Sequence, residues 1–194
     1  MKAFNGFKAE SSNRRTPPLP AGPYVAKILA VKIEGDEPDQ QLILRLDVVE
    51  GEQMNYFRNR YKKDKENSKF EPRYKGDYRI RIPNDDNPRA MYPESDKKRF
   101  NDMVYRIEKS NEGYHWDWNE QGLVGKLVGI NMQDSEYNGY PTTIIGRLEI
   151  ADDVRKGIIK KMPPKQPKGD AYEPPVIDKQ TGFIGVEVDS ELPF

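Results

Sequence analysis

The chain has 194 residues, of which 35% are hydrophobic and 33% charged, and it contains no cysteine. This length suits one domain with appended tails, and the low apolar and high charged fractions predict sizeable unfolded segments. The lack of cysteine excludes disulfides and thiolate chemistry and is typical of a reducing cytoplasm. We expect neither a membrane span nor a signal peptide, since no apolar run is long enough for either.

Opposite charges are concentrated in different parts of the chain, although the formal net charge is zero. Residues 58–81 contain ten Lys/Arg and four Asp/Glu, which gives a local net charge of +6. Residues 170–194 contain six acids and one lysine, which gives a local net charge of −5. A basic body with an acidic end is an asymmetry that the function must explain.

The first half of the chain predicts a polar N-terminal arm over residues 1–19, on which Phe4 and Phe7 are candidates for docking, and then a β-hairpin. Residues 24–33 are rich in aliphatic and β-branched side chains, which favours a strand. Residues 41–49 alternate, with Arg45 and Asp47 on one face and an apolar set on the other, namely Leu42, Leu44, Leu46 and Val48. The acidic turn at residues 35–39 joins the two strands.

Three more strands and one helix are predicted in the second half. Residues 78–82 alternate like a strand, and residues 126–132 and 142–150 flank an Asn138-Gly139 turn signal. Between them, Ser95 can cap a helix that Gly113 ends, with apolar residues at helical spacing: Phe100, Met103, Val104 and Ile107. The fold class is therefore all-β with one helix. The order predicts an OB-fold-like five-stranded antiparallel barrel over residues 20–155; another small antiparallel sheet with one helix is the alternative.

The pattern ends after Ile150. Residues 156–188 are rich in proline and lysine and predict a disordered linker. Residues 189–194 form an acidic tip that ends in Leu192, Pro193 and Phe194, with Asp189 and Glu191 as its acids. The Phe194 ring suits an apolar pocket, its α-carboxylate suits an arginine or lysine at the rim, and the two acids steer the tip toward a basic partner.

This ending resembles the C-terminal tip of bacterial single-stranded DNA-binding proteins, an acidic run that closes in Pro-Phe. The resemblance implies recruitment of replication and repair enzymes by the tip through a disordered linker. Ser190 and the small number of acids depart from the family pattern and imply weaker partner binding. Residues 19–24 and 42–52 also resemble phage-encoded replication proteins of the single-stranded DNA-binding type.

Aromatic and basic residues alternate between positions 56 and 81, which is typical of single-strand binding, where bases stack on rings and cations follow phosphates. A solvated loop whose rings cover the barrel is the alternative. Trp116 and Trp118 suit either base stacking or sealing of the barrel, and His115 suits the surface. The candidate DNA-binding residues are Tyr56, Phe57, Arg58, Arg60, Tyr61, Lys62, Lys63, Phe70, Arg73, Tyr74, Lys75, Arg79, Arg81 and Trp116.

One histidine, no cysteine and no phosphate-binding glycine loop argue against an enzyme. We expect no cofactor and no metal, and a sequence-tolerant single-stranded DNA-binding protein of phage or bacterial replication or recombination. The alternatives are a protein-interaction adaptor and a small metal-dependent nuclease using Asp134, Glu136, Asp152 and Asp153. The sequence leaves the oligomeric state open, a homodimer included.

Overall fold

A computed structural model describes residues 17–85 and 93–165. The strands are β1 (Gly22–Glu34), β2 (Gln41–Val48), β3 (Asp77–Arg81), β4 (Leu127–Tyr137) and β5 (Tyr140–Glu149). The helices are α1 (Tyr56–Glu66), α2 (Pro93–Ser110) and α3 (Ala151–Arg155), with a short 3-10 turn at Glu120–Leu123. The predicted Phe4, Phe7, most of the arm, the linker beyond residue 165 and the tip lie outside the described residues.

The five strands form one antiparallel sheet in the order β3-β2-β1-β4-β5. The predicted turn between β4 and β5 is present, because Asn138 and Gly139 have φ values of 50° and 76°, as a type I′ turn requires. The described strands leave β3 and β5 as edges that are not hydrogen-bonded to each other. The mostly-β antiparallel fold is therefore confirmed, whereas the sheet is not closed into the predicted barrel.

The core lies between the inward face of the sheet and α2. The alternating residues of β2 are buried as predicted, and so are Val128, Ile130 and Met132 of β4. Phe100, Met103 and Ile107 of α2 complete the core, which confirms the predicted helix; it begins at Pro93, two residues before Ser95. Within the described residues, no helix has both the length and the apolar character that a membrane crossing requires.

Two helices were not predicted, so the expectation of a single helix is wrong. Helix α1 occupies the aromatic and basic stretch that follows β2, and α3 follows β5 directly. Helix α1 buries little apolar surface, with Phe57 as its only buried residue. The short apolar pattern explains why the sequence of α1 looks like a loop.

Asp47 joins β2 to α1. It faces away from the apolar side of β2 as predicted, but it is fully buried rather than solvated. Its carboxylate accepts hydrogen bonds from the backbone N–H groups of Val48 and Phe57, both at 3.0 Å, and from Arg58 Nε at 2.7 Å. A buried carboxylate is tolerated only when donors surround it, and these three donors fix where α1 begins.

The segments that precede β1 and follow α3 are hydrogen-bonded to the sheet. Leu19 is buried, and its carbonyl accepts a hydrogen bond from Thr143 Oγ1. Residues 158–165, which we call the strap, lie along β4: Lys160 and Pro163 carbonyls accept from Asn131 and Gln133. The backbone N–H of Lys165 donates to the Asp134 carbonyl. The strap thus contacts the sheet, although it falls within the predicted linker of residues 156–188.

The Asp47→Ala substitution should destabilise the protein by about 2–5 kcal/mol, because two buried N–H groups lose this acceptor and Arg58 loses its ion-pair partner. Chemical denaturation monitored by circular dichroism measures the change. The control is Asp36→Ala, which removes an exposed carboxylate from the turn between β1 and β2. Equal stability of the two variants would contradict the anchoring role of Asp47.

Candidate nucleic-acid interface

Helix α1 directs two of its three aromatic rings, those of Phe57 and Tyr61, toward Tyr74. Phe57 points into the core, where its ring lies 6.3 Å from that of Tyr74. Tyr61 follows one turn later, with its ring 5.8 Å from the Tyr74 ring. Arg58 is held by Asp47 and by Asn55, whereas Lys62 and Lys63 are exposed. The helix thus places Phe57 and Tyr61 inward and Lys62 and Lys63 outward.

A large cleft opens where the sheet is not closed. It has a volume of about 1390 Å³ and is lined by β3 on one side and β5 on the other, with residues of α1 and α2 completing its walls. Eight Lys/Arg and four Asp/Glu line the cleft. The cations are Arg60, Arg73, Lys75, Arg79, Arg81, Arg99, Arg147 and Lys165.

Ion pairs neutralise some of these cations. Arg79 lies 2.6 Å from the Glu34 carboxylate, and this guanidinium is the first cause of a lowered Glu34 pKa. Arg81 lies 3.6 Å from Asp96, and Arg147 contacts the buried Glu149. In the described parts of the chain, four of the cleft cations form no ion pair within 4.0 Å, so they are the cations best placed to bind phosphate: Arg73, Lys75, Arg99 and Lys165.

Tyrosine rings line the cleft between the cations. Tyr56 is half-buried, donates its hydroxyl to the Pro17 carbonyl at 2.6 Å and accepts from Arg60 at 3.0 Å. Tyr78 is half-buried, and burial raises its pKa. Burial likewise raises the pKa of Tyr74. Because Tyr74 and Tyr78 keep their protons at neutral pH, they add no negative charge to the cleft.

Eight of the fourteen predicted DNA-binding residues line the cleft. They are Tyr56, Phe57, Arg60, Arg73, Tyr74, Lys75, Arg79 and Arg81. The other six lie elsewhere: Arg58, Tyr61, Lys62, Lys63, Phe70 and Trp116.

Two of the cleft residues are unsuited to base stacking. Phe57 and Tyr74 are only 2% and 7% exposed, and the Tyr74 hydroxyl donates to the Leu46 carbonyl at 3.1 Å. Gly76 explains the close packing here, because a Cβ at that position would overlap the Phe57 ring and the Leu46 carbonyl. The prediction that these two rings stack on bases is corrected: both are core residues.

The two tryptophans form a separate cluster that packs against Phe100 of α2. Trp116 packs edge-on against Phe100, with ring centroids 6.4 Å apart, and Trp118 lies parallel to Phe100 at 6.3 Å. Trp118 is 77% exposed, and Trp116 is half-buried. Neither lines the cleft, so Trp116 lies apart from the eight candidate residues that do.

Sequence reasoning missed three cations of the cleft, Arg99, Arg147 and Lys165. Arg99 lies four residues before the buried Met103, and this spacing places both on adjoining parts of one helix face. No sequence pattern predicts that Arg147 and Lys165 line the cleft. Arg147 does so because β5 is an edge strand, and Lys165 because the strap lies along β4.

The carboxylates considered for a metal-dependent nuclease lie on different elements. Asp134 and Glu136 are on β4, and Asp152 and Asp153 are on α3. Asp134 pairs with Lys161 at 2.8 Å, and Asp152 pairs with Arg155 at 2.6 Å. Across residues 17–85 and 93–165, no group of three or more His, Asp or Glu side chains is arranged to hold a metal ion.

No protein-family model matches the chain, and no curated protein is similar to it in sequence. The assignment of a function therefore depends on the chemistry of the cleft.

The two phenylalanines among the predicted base-stacking residues should behave differently. Phe57→Ala should lower the free energy of unfolding by about 3–5 kcal/mol, because it leaves a cavity in the core. Phe70 is 84% exposed, so Phe70→Ala should leave stability within about 0.5 kcal/mol of the wild type. Urea denaturation compares the two variants, and a small loss for Phe57→Ala would place this ring outside the core.

Proposed function

We propose that the protein binds single-stranded DNA in the cleft between β3 and β5, with little sequence preference and without chemical change of the strand. The observation that carries this proposal is the excess of cations over acids in the cleft, together with the tyrosine rings between them. Cations that follow phosphates and rings that stack on bases bind single strands in many proteins. Paired bases cannot offer their faces to a ring, so duplex DNA binds less tightly.

The proposed biological setting is phage or bacterial DNA replication or recombination, in the cytoplasm of a bacterial cell. The resemblance of the last six residues to the tips of single-stranded DNA-binding proteins supports this setting. The protein would coat exposed strands, protect them and bring partner enzymes to them through the tip.

The free edges of β3 and β5 favour a second candidate, an adaptor that binds an extended acidic peptide. The described residues leave the outer edge of each strand without a pairing strand, and such edges accept an added strand through backbone hydrogen bonds. Binding measurements with two ligands separate the two candidates. If a glutamate-rich peptide binds the cleft and poly-dT does not, the adaptor is favoured.

The salt dependence of binding tests the cleft. Replacing Arg73 and Lys75 together by alanine should weaken poly-dT binding, and should make the log–log salt slope shallower by about 0.7 for each phosphate contact that is lost. The control is Lys27→Ala, which removes an exposed lysine from β1, outside the cleft. Fluorescence anisotropy at several salt concentrations measures both quantities. An unchanged slope in the double variant, or equal affinity for duplex DNA, would exclude this surface.

Removal of residues 189–194 tests the proposed division of roles. This deletion should keep poly-dT affinity or raise it, because two acids leave the protein, whereas recruitment of replication enzymes should be lost. Removal of Phe194 alone should reduce recruitment nearly as much, because the ring is gone and the new carboxylate lies on Pro193. The measurements are anisotropy and pull-down of purified host replication enzymes. Loss of DNA binding with intact recruitment would reverse the assignment.

A further inference from the structure

A second, smaller cavity adjoins the cleft. It has a volume of about 240 Å³ and lies between the loop that follows β2 and the first two turns of α1. Tyr56 and Arg60 line both the cleft and this cavity. The two spaces therefore lie next to each other, on either side of these two side chains.

One face of α1 forms the wall of the small cavity. Tyr56, Asn59, Arg60 and Lys63 occupy positions i, i+3, i+4 and i+7 of the helix, and all four line the cavity. This spacing places them on a single stripe, since a helix turns once in 3.6 residues. Phe57, by contrast, points into the core. No helix was predicted over these residues, so their common stripe was not predicted either.

The charge of the small cavity is positive. Its lining includes Arg60 and Lys63 and a single acid, Glu52. Lys63 is exposed and makes no ion pair within the described residues. Arg60 Nε is buried and has no hydrogen-bond partner in the described part of the chain, although the Asp64 carboxylate lies 3.7 Å away. The cavity thus combines the unpaired Lys63 ammonium with the Arg60 guanidinium and the Asn59 amide, which together suit an anion.

We propose that this cavity binds a phosphate of the same DNA strand as it leaves the cleft, between Asn59, Arg60 and Lys63. This inference rests on the proposed function and deepens it. The strand fills the cleft first and then turns onto α1, with Tyr56 and Arg60 at the turn. The bound length is therefore longer than the cleft, and Lys63 contributes only to the binding of strands long enough to reach it.

The test compares Lys63→Ala with Lys65→Ala. Lys65 is also an exposed lysine of α1, but it lies about 200° around the helix from Lys63 and outside the cavity. Affinities are measured for oligo-dT of about 5 and about 15 nucleotides, because single-strand-binding modules of comparable size contact about 4–16 nucleotides. Circular dichroism confirms that both variants are folded.

The proposal predicts an effect that depends on length. Lys63→Ala should weaken binding of the longer oligonucleotide by about 2–5-fold and make the log–log salt slope of that binding shallower by about 0.7. Binding of the short oligonucleotide should be unchanged. Lys65→Ala should change neither. Equal losses for the two variants, or a loss for Lys63→Ala that is the same at both lengths, would overturn the proposed path. If Lys63→Ala has no effect at either length, the cavity does not hold a phosphate of the strand. Absence of binding by the wild-type protein would overturn the proposed function itself.

Discussion

The buried carboxylate of Asp47 determines how the basic segment is presented. A charge removed from water is costly unless donors replace the lost hydration. Here the donors come from both the end of β2 and the start of α1, so the sheet and the helix are joined at one atom group. The rotation of α1 follows from this junction, because the N–H of Phe57 is held there while the Phe57 ring enters the core. The Arg58 guanidinium donates to the same carboxylate, so its charge stabilises the fold.

The sequence indicated the elements whose apolar periodicity is strong. The alternation in β2 and the helical spacing of Phe100, Met103 and Ile107 correspond to the observed core. Helix α1 was missed because Phe57 and Tyr61, four residues apart, are its main inward rings, and its remaining positions are mostly charged. Its sequence contains no glycine or proline and is rich in lysine and arginine, which are good helix formers. This helix propensity was the feature of the sequence from which α1 could have been predicted.

The cleft was only partly foreseeable. Arg73, Lys75, Arg79 and Arg81 are close together in the sequence, so a basic surface near β3 followed from local composition. The opposite wall comes from β5, some 65 residues further along the chain, and no local pattern reports which edge will face which. Composition also does not show which rings are buried. Tyr56 and Tyr74 both line the cleft, but Tyr56 is half-buried whereas Tyr74 is buried and donates a hydrogen bond to the Leu46 carbonyl.

The strap along β4 changes where the self-sufficient unit ends. The periodic pattern of the sequence stops near Ile150, and a shortened protein would naturally be cut soon after α3. Such a cut would leave the side-chain amide of Asn131, a fully buried residue, without the Lys160 carbonyl that accepts its hydrogen bond. It would also remove Lys165 from the wall of the cleft. The smallest fragment that keeps both the sheet and its basic opening intact therefore includes Lys165.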